Sequence, residues 1–184
     1  YKSMSWPRRI ENRLAELEDI LNDNKKKFIE QLRQNQEELG KDIASLNEQV
    51  MSFVGCGQLE DAHENAKKVS AIKELLEDAE ERARTYRVHE HLFGLVQTDY
   101  PHLENLGRNF DPYHKLWTTA SEFMINHPDW MDSAFERLDG NRVERLVKTW
   151  QLDLKRLDRV LKSVEEPHKA VTTIAAQVDE FRVH

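Results

Sequence analysis

Apolar positions along the chain recur every three or four residues, and no stretch of useful length alternates apolar with polar. That spacing predicts amphipathic helices and no strands. The first helix is predicted to start at Ser5, with Trp6 and Pro7 in its opening turn, where the N–H that proline lacks has no partner to lose. Leu14, Leu17, Leu21 and Phe28 form a first block, with Asn24 at a seam position, and Leu39, Ile43, Leu46, Val50 and Phe53 form a second. Steps of three and four are the seam of a coiled coil. From Phe28 to Leu39, through Leu32 and Asn35, the seam advances by eleven, which is a stutter that locally unwinds a supercoil. A continuous helix here reaches roughly 70 Å.

Gly55-Cys56-Gly57 stops it, and a left-handed backbone at these glycines would make a tight helix-to-helix turn. A second stripe follows at Leu59, Ala62, Ala66, Val69, Leu76, Ala83 and Tyr86, whose alanines let two backbones approach. Two long helices joined by a short turn are expected to pack as an antiparallel hairpin. A parallel dimeric coiled coil, which the glycine turn disfavours, and a pair completed by a third helix are the other readings. Tyr100-Pro101, Gly107 and Asp111-Pro112 interrupt the pattern, so residues 99–111 are read as a joint. Shorter helices are expected beyond it. One runs from Pro112 to near Asn126, one from Pro128 through Phe135 and Leu138, and Asp139-Gly140-Asn141 forms a turn and cap. The cleanest stripe runs from Val143 to Val164, and a last helix starts at Glu166-Pro167. The fold class is therefore all-α: a long antiparallel, spectrin-like hairpin over 1–98 turning at 55–57, a joint, and a bundle of short helices over 112–184.

Composition narrows function mainly by exclusion. A net charge of -7 argues against a nucleic-acid partner, and the run Lys25-Lys26-Lys27, with acids on both sides, reads as a solvated helix face. The single cysteine, Cys56, allows no intrachain disulfide. No apolar run is long enough to span a bilayer, so no membrane partner is expected. The chain begins at Tyr1 rather than Met, as expected of a piece of a longer protein. It has no glycine-rich phosphate loop of the GxxxxGK[ST] type. In His89-Glu90-His91 the imidazoles are two apart and point to nearly opposite faces of a helix, so they cannot share an ion. Cys56 has no base near it in sequence, and the paired carboxylates Glu37-Glu38, Glu80-Glu81 and Glu165-Glu166 fit solvated surfaces. No catalytic, cofactor or metal site is expected. Leu116, Trp117, Trp150 and Leu154 read as core, Trp130 as core or partner anchor, and Gly55 and Gly57 as the turn. A contact surface on the outer faces of the hairpin is the remaining class of site.

One stretch carries more than periodicity. Glu90, Leu92-Phe93-Gly94, Thr98, Tyr100, Leu103, Pro112-Tyr113 and Leu116-Trp117 resemble the tail-to-linker region of dynein heavy chains, of the axonemal type. Trp130, Leu138-Asp139 and the Val143–Val164 helix with Trp150 follow in the family's order. The resemblance implies a non-catalytic, mechanical segment joining the tail to the force-generating linker, with no cofactor. Its partners would be the rest of the heavy chain (linker and motor domain) and other dynein subunits. Its place would be the cytoplasmic cytoskeleton, in the axoneme of a cilium or flagellum. The family's ATPase modules are not in this sequence. The alternative is a free-standing helical adapter or spectrin-like module, marked by a large exposed apolar patch.

Overall fold

The structure, a computed structural model, describes residues 5–132 and 140–182. The described residues form five α-helices and no strand: α1 Ser5–Ser52, α2 Ala62–Leu92, α3 Pro101–Asp132, α4 Gly140–Val160 and α5 Glu165–Arg182. Two short 3-10 turns, Phe53–Gly55 and Leu59–Asp61, lie between α1 and α2. The fold is all-α. Its contacts define two compact units, residues 1–42 with 80–100 and residues 43–79 with 101–184.

In the first unit the α1 stripe buries Leu32 and Leu39, and the α2 stripe buries Ala83 and Tyr86. Arg82 Nη1 donates to Asp42 Oδ2 at 2.7 Å, and Gln36 Nε2 to Glu90 Oε1 at 2.7 Å. Phe28 packs on His89 and Phe93, with ring centroids 5.4 and 4.9 Å apart. Residue numbers thus fall along α1 as they rise along α2. Before Phe28 the seam is uncovered: Leu14, Leu17 and Leu21 are 55%, 54% and 66% exposed. The reason is length. α1 has 48 residues and α2 only 31, so α2 ends opposite Phe28 and leaves nothing to face the earlier turns.

The second unit buries Leu46, Val50 and Phe53, then Ala62, Val69, Ile72 and Leu76, and the Phe53 ring lies 6.4 Å from that of Tyr113 on α3. α4 supplies Val147, Trp150, Leu154 and Leu157, and α5 supplies Val171, Ile174 and Val178. The α5 helix also packs against the Phe53–Gly55 turn.

Three sequence expectations are corrected. Neither Gly55 nor Gly57 takes a left-handed backbone; among the described residues only Gly94 does, at φ 68°. Gly57 is needed for space instead, because a Cβ there would lie 2.6 Å from the Glu166 carbonyl oxygen. Residues 101–111 are not an irregular joint but the opening of α3, which continues through Pro112 and Pro128. Its stripe of Leu103, Leu106, Phe110, Tyr113, Trp117 and Ala120 never loses phase. Burying that stripe outweighs the hydrogen bond and steric cost of an interior proline, about 3 kcal/mol. The proline-started helices expected at 112 and 128 are therefore one helix. Finally, α4 ends at Val160, and Leu161–Val164 turn back through a Val164 N–H to Leu161 carbonyl bond of 2.9 Å. The expected Leu138-Asp139 landmark, Phe135, and the Asp139 part of the expected cap lie outside the described residues.

The two turn glycines should respond differently to a methyl group. Gly57→Ala is expected to lower stability by about 2 kcal/mol through overpacking. Gly55→Ala, with nothing within 4 Å of its Cβ, should stay within about 0.5 kcal/mol of the parent. Paired urea titrations decide it, and equal midpoints would remove the close-approach account.

Candidate functional site

The α2 stripe steps through Leu76, Ala79, Ala83 and Tyr86, and its next position is Glu90. A carboxylate therefore stands where the seam calls for a hydrophobe, and it is 3% exposed. Such a group must be hydrogen-bonded to persist. Thr98 donates to it twice, from its backbone N–H to Oε2 at 2.8 Å and from its hydroxyl to Oε1 at 2.6 Å. Gln36 on α1 donates to Oε1 at 2.7 Å and also reaches the Tyr100 hydroxyl at 3.3 Å. Burial pushes the Glu90 carboxyl up, but the Thr98 side-chain and backbone hydrogen bonds, the Gln36 amide and the Arg87 charge together hold it below the usual carboxylate range.

The main chain of the same residue closes the helix. Gly94 N–H bonds the His91 carbonyl at 3.1 Å and Leu95 N–H bonds the Glu90 carbonyl at 2.8 Å. With Gly94 left-handed, this is a Schellman cap. Arg87 fastens the far end of the loop: Nε donates to the Thr98 carbonyl at 3.1 Å, Nη2 lies 3.6 Å from Asp99, and the guanidinium sits 5.8 Å from the Tyr100 ring centroid. Residues 93–100 have no helix of their own, yet they are tied down at both ends. Glu90, Gly94, Thr98 and Tyr100, quoted above only as matching letters, thus form one cluster. A charged residue falling on an apolar stripe was the signal that could have found it.

The residues expected to pack lie in the second unit. Leu116 and Trp117 are fully buried, as are Trp150 and Leu154 at 2% exposure. Trp130 is half-buried, stacked on Trp150 at 5.6 Å and beside Phe181 at 5.5 Å, and Phe123 meets Trp150 edge-on at 5.8 Å. The Trp150 indole N–H donates to Glu122 at 3.1 Å. Gly55 and Gly57 lie elsewhere in that unit, at the α1–α2 turn.

No group of three or more His, Cys, Asp and Glu side chains able to hold a metal occurs among the described residues. Burial pushes the Cys56 thiol up, against the lowering effect of Lys68, so it is held protonated. His63 Nδ1 meets Ser121 Oγ at 3.2 Å, but no carboxylate orients that imidazole among the described residues, as a nucleophilic site would need. No described helix is long and apolar enough to cross a membrane.

The geometry defines an all-helical segment with a pinned inter-helix loop. Residues 103–184 match the family model described as dynein heavy chain, N-terminal region 2. Dynein axonemal heavy chain 1 of Rattus norvegicus is 26% identical over 178 residues, 97% of this chain and 4% of the relative. Dynein axonemal heavy chain 12 of Homo sapiens is 24% identical over 172 residues, 91% of this chain and 6% of the relative. No solved structure matches. The chain is thus similar to the N-terminal region of dynein heavy chains, and it spans about one twentieth of the length of these relatives.

Removing the carboxylate should unpin the loop. Glu90→Ala is expected to cost about 3 kcal/mol, since it leaves the Thr98 N–H and the Gln36 amide without their charged acceptor, and to speed hydrogen exchange at Leu95 and Thr98. Retained protection there would sink the pinning account. Because the folded Glu90 carboxyl is held below its ordinary value, its contribution is complete above the unfolded carboxyl's range and fades as pH falls through the folded one. The stability gap between the parent and Glu90→Gln should therefore shrink on acidification; a gap that widens would contradict it.

Proposed function

We propose that this chain is a non-catalytic mechanical segment of an axonemal dynein heavy chain, linking the tail to the force-generating linker of a microtubule motor in the cilium. The observation that carries this reading is the match along 97% of the chain to an axonemal heavy chain many times its length. The architecture supports it. Long helices transmit load with little compliance when their seams are packed, and a loop held at Glu90 and Arg87 adds little slack. The uncovered stripe of Ile10, Leu14, Leu17 and Leu21 suits a segment whose partners are the rest of the heavy chain or another dynein subunit. In this reading α1 and α2 form an antiparallel hairpin. The same stripe is also what a free-standing adapter would offer a partner helix, and it is the feature that favours that second reading.

The two readings separate in a motor assay. Inserting two glycines after Val96 in the parent heavy chain should reduce microtubule gliding speed while ATP turnover stays largely intact. Unchanged gliding would count against a strut and leave the adapter.

A further inference from the structure

The outer face of α4 carries a charge pattern opposite to that of the chain. α4 has six Lys and Arg against three acids, in a protein of net charge -7. Each of the three acids is already engaged: Glu144 with Lys148 at 2.6 Å, Asp153 with Lys115 at 2.9 Å and Asp158 with His168 at 2.9 Å. At 3.6 residues per turn, Arg145, Lys148, Leu152, Lys155, Arg156 and Arg159 share a sector of roughly 100°. It lies opposite the buried Val147, Trp150, Leu154 and Leu157. All six are exposed, and no acid of α4 falls in the sector. Lys155, Arg156 and Arg159 have no acidic partner among the described residues. In the middle of this cationic ridge stands Leu152, 70% exposed.

We propose that this ridge is a docking surface for an acidic amphipathic helix of a protein partner, one whose Asp and Glu side chains flank an apolar residue that covers Leu152. Charge complementarity selects the sign of the partner. The lone leucine selects a peptide over a nucleic acid, because the ridge offers no aromatic ring on which a base could stack. It also selects a peptide over a bilayer, since one exposed leucine is too little apolar surface to insert. The neighbouring α4–α5 groove of about 310 Å³ is lined by the Asp158 and Asp179 carboxylates as well as by Lys155 and Arg159, so the partner lies along the outer ridge, where no acid of α4 falls. The proposal does not depend on the tail-to-linker reading: it concerns one helix face and is tested without a motor.

The test uses the 184-residue chain and a fluorescein-labelled helical peptide of Glu, Ala and Leu, with glutamates on both sides of a leucine stripe. Fluorescence anisotropy is expected to show saturable binding that weakens with salt and vanishes when the peptide's glutamates become glutamines. Reversing Lys155, Arg156 and Arg159 to Glu should weaken binding by at least about tenfold. Leu152→Ser should weaken it by about fivefold while leaving the salt dependence unchanged. Lys155→Gln with Arg159→Gln serves as the milder variant, should the triple reversal fail to fold by circular dichroism. Absence of saturable binding overturns the proposal. So does equal or tighter binding of a poly-thymidine oligonucleotide or of phosphatidylserine vesicles, and so does a peptide affinity indifferent to Leu152.

Discussion

The buried carboxylate of Glu90 is the constraint on which the first unit turns. A charge in an apolar seam is costly to desolvate, so the sequence around it is committed to supplying donors. Gln36 supplies one from α1 and Thr98 two from the loop. Those demands fix the local geometry in turn. For Thr98 to reach back to Glu90, the chain must reverse just after α2. Gly94 permits this with a left-handed backbone, and the Leu95 N–H closes it on the Glu90 carbonyl. One residue therefore ends a helix, ties down a loop and joins α1 to α2 through Gln36.

The second unit is held by different physics. Its aromatic residues Phe123, Trp130, Trp150 and Phe181 contact one another, and close packing there tolerates prolines inside α3 and demands a missing side chain at Gly57. Where the first unit relies on a few strong polar contacts around a narrow seam, this one relies on buried area. The outward faces differ as well: apolar and uncovered at the start of α1, cationic along α4. The relatives that this chain resembles are many times its length.

Periodicity read the helices well because a 3.6-residue repeat is a local property. The α4 stripe was legible from Val143 onward, and four of its residues, Val147, Trp150, Leu154 and Leu157, are buried. It read badly wherever a local signal competed with packing. Pro112 and Pro128 looked like helix starts, yet the stripe from Leu103 to Ala120 passes through the first unbroken, because burial outweighs one lost bond. Gly55 and Gly57 looked like left-handed turn residues, when the need at Gly57 is room beside Glu166, more than a hundred residues away. Of the Glu90 cluster, several letters were visible through resemblance, but not what they do together. Gln36, its third donor, gave no signal at all, since a glutamine on a helix reads as solvent-facing.

The sequence by itself determined the all-α class, the phase of each stripe and the absence of a phosphate loop, since these follow from residue type and spacing alone. Tertiary structure decided which stripes are covered. Leu14 and Leu46 have the same local pattern, yet one is 55% exposed and the other 4%. The difference arises because α2 is shorter than α1 and ends opposite Phe28. Tertiary structure also decided that Glu90 is a buried hub and not a surface acid. Both outcomes depend on which distant residues come within hydrogen-bonding or van der Waals reach, and nothing in the spacing of a single helix contains that information.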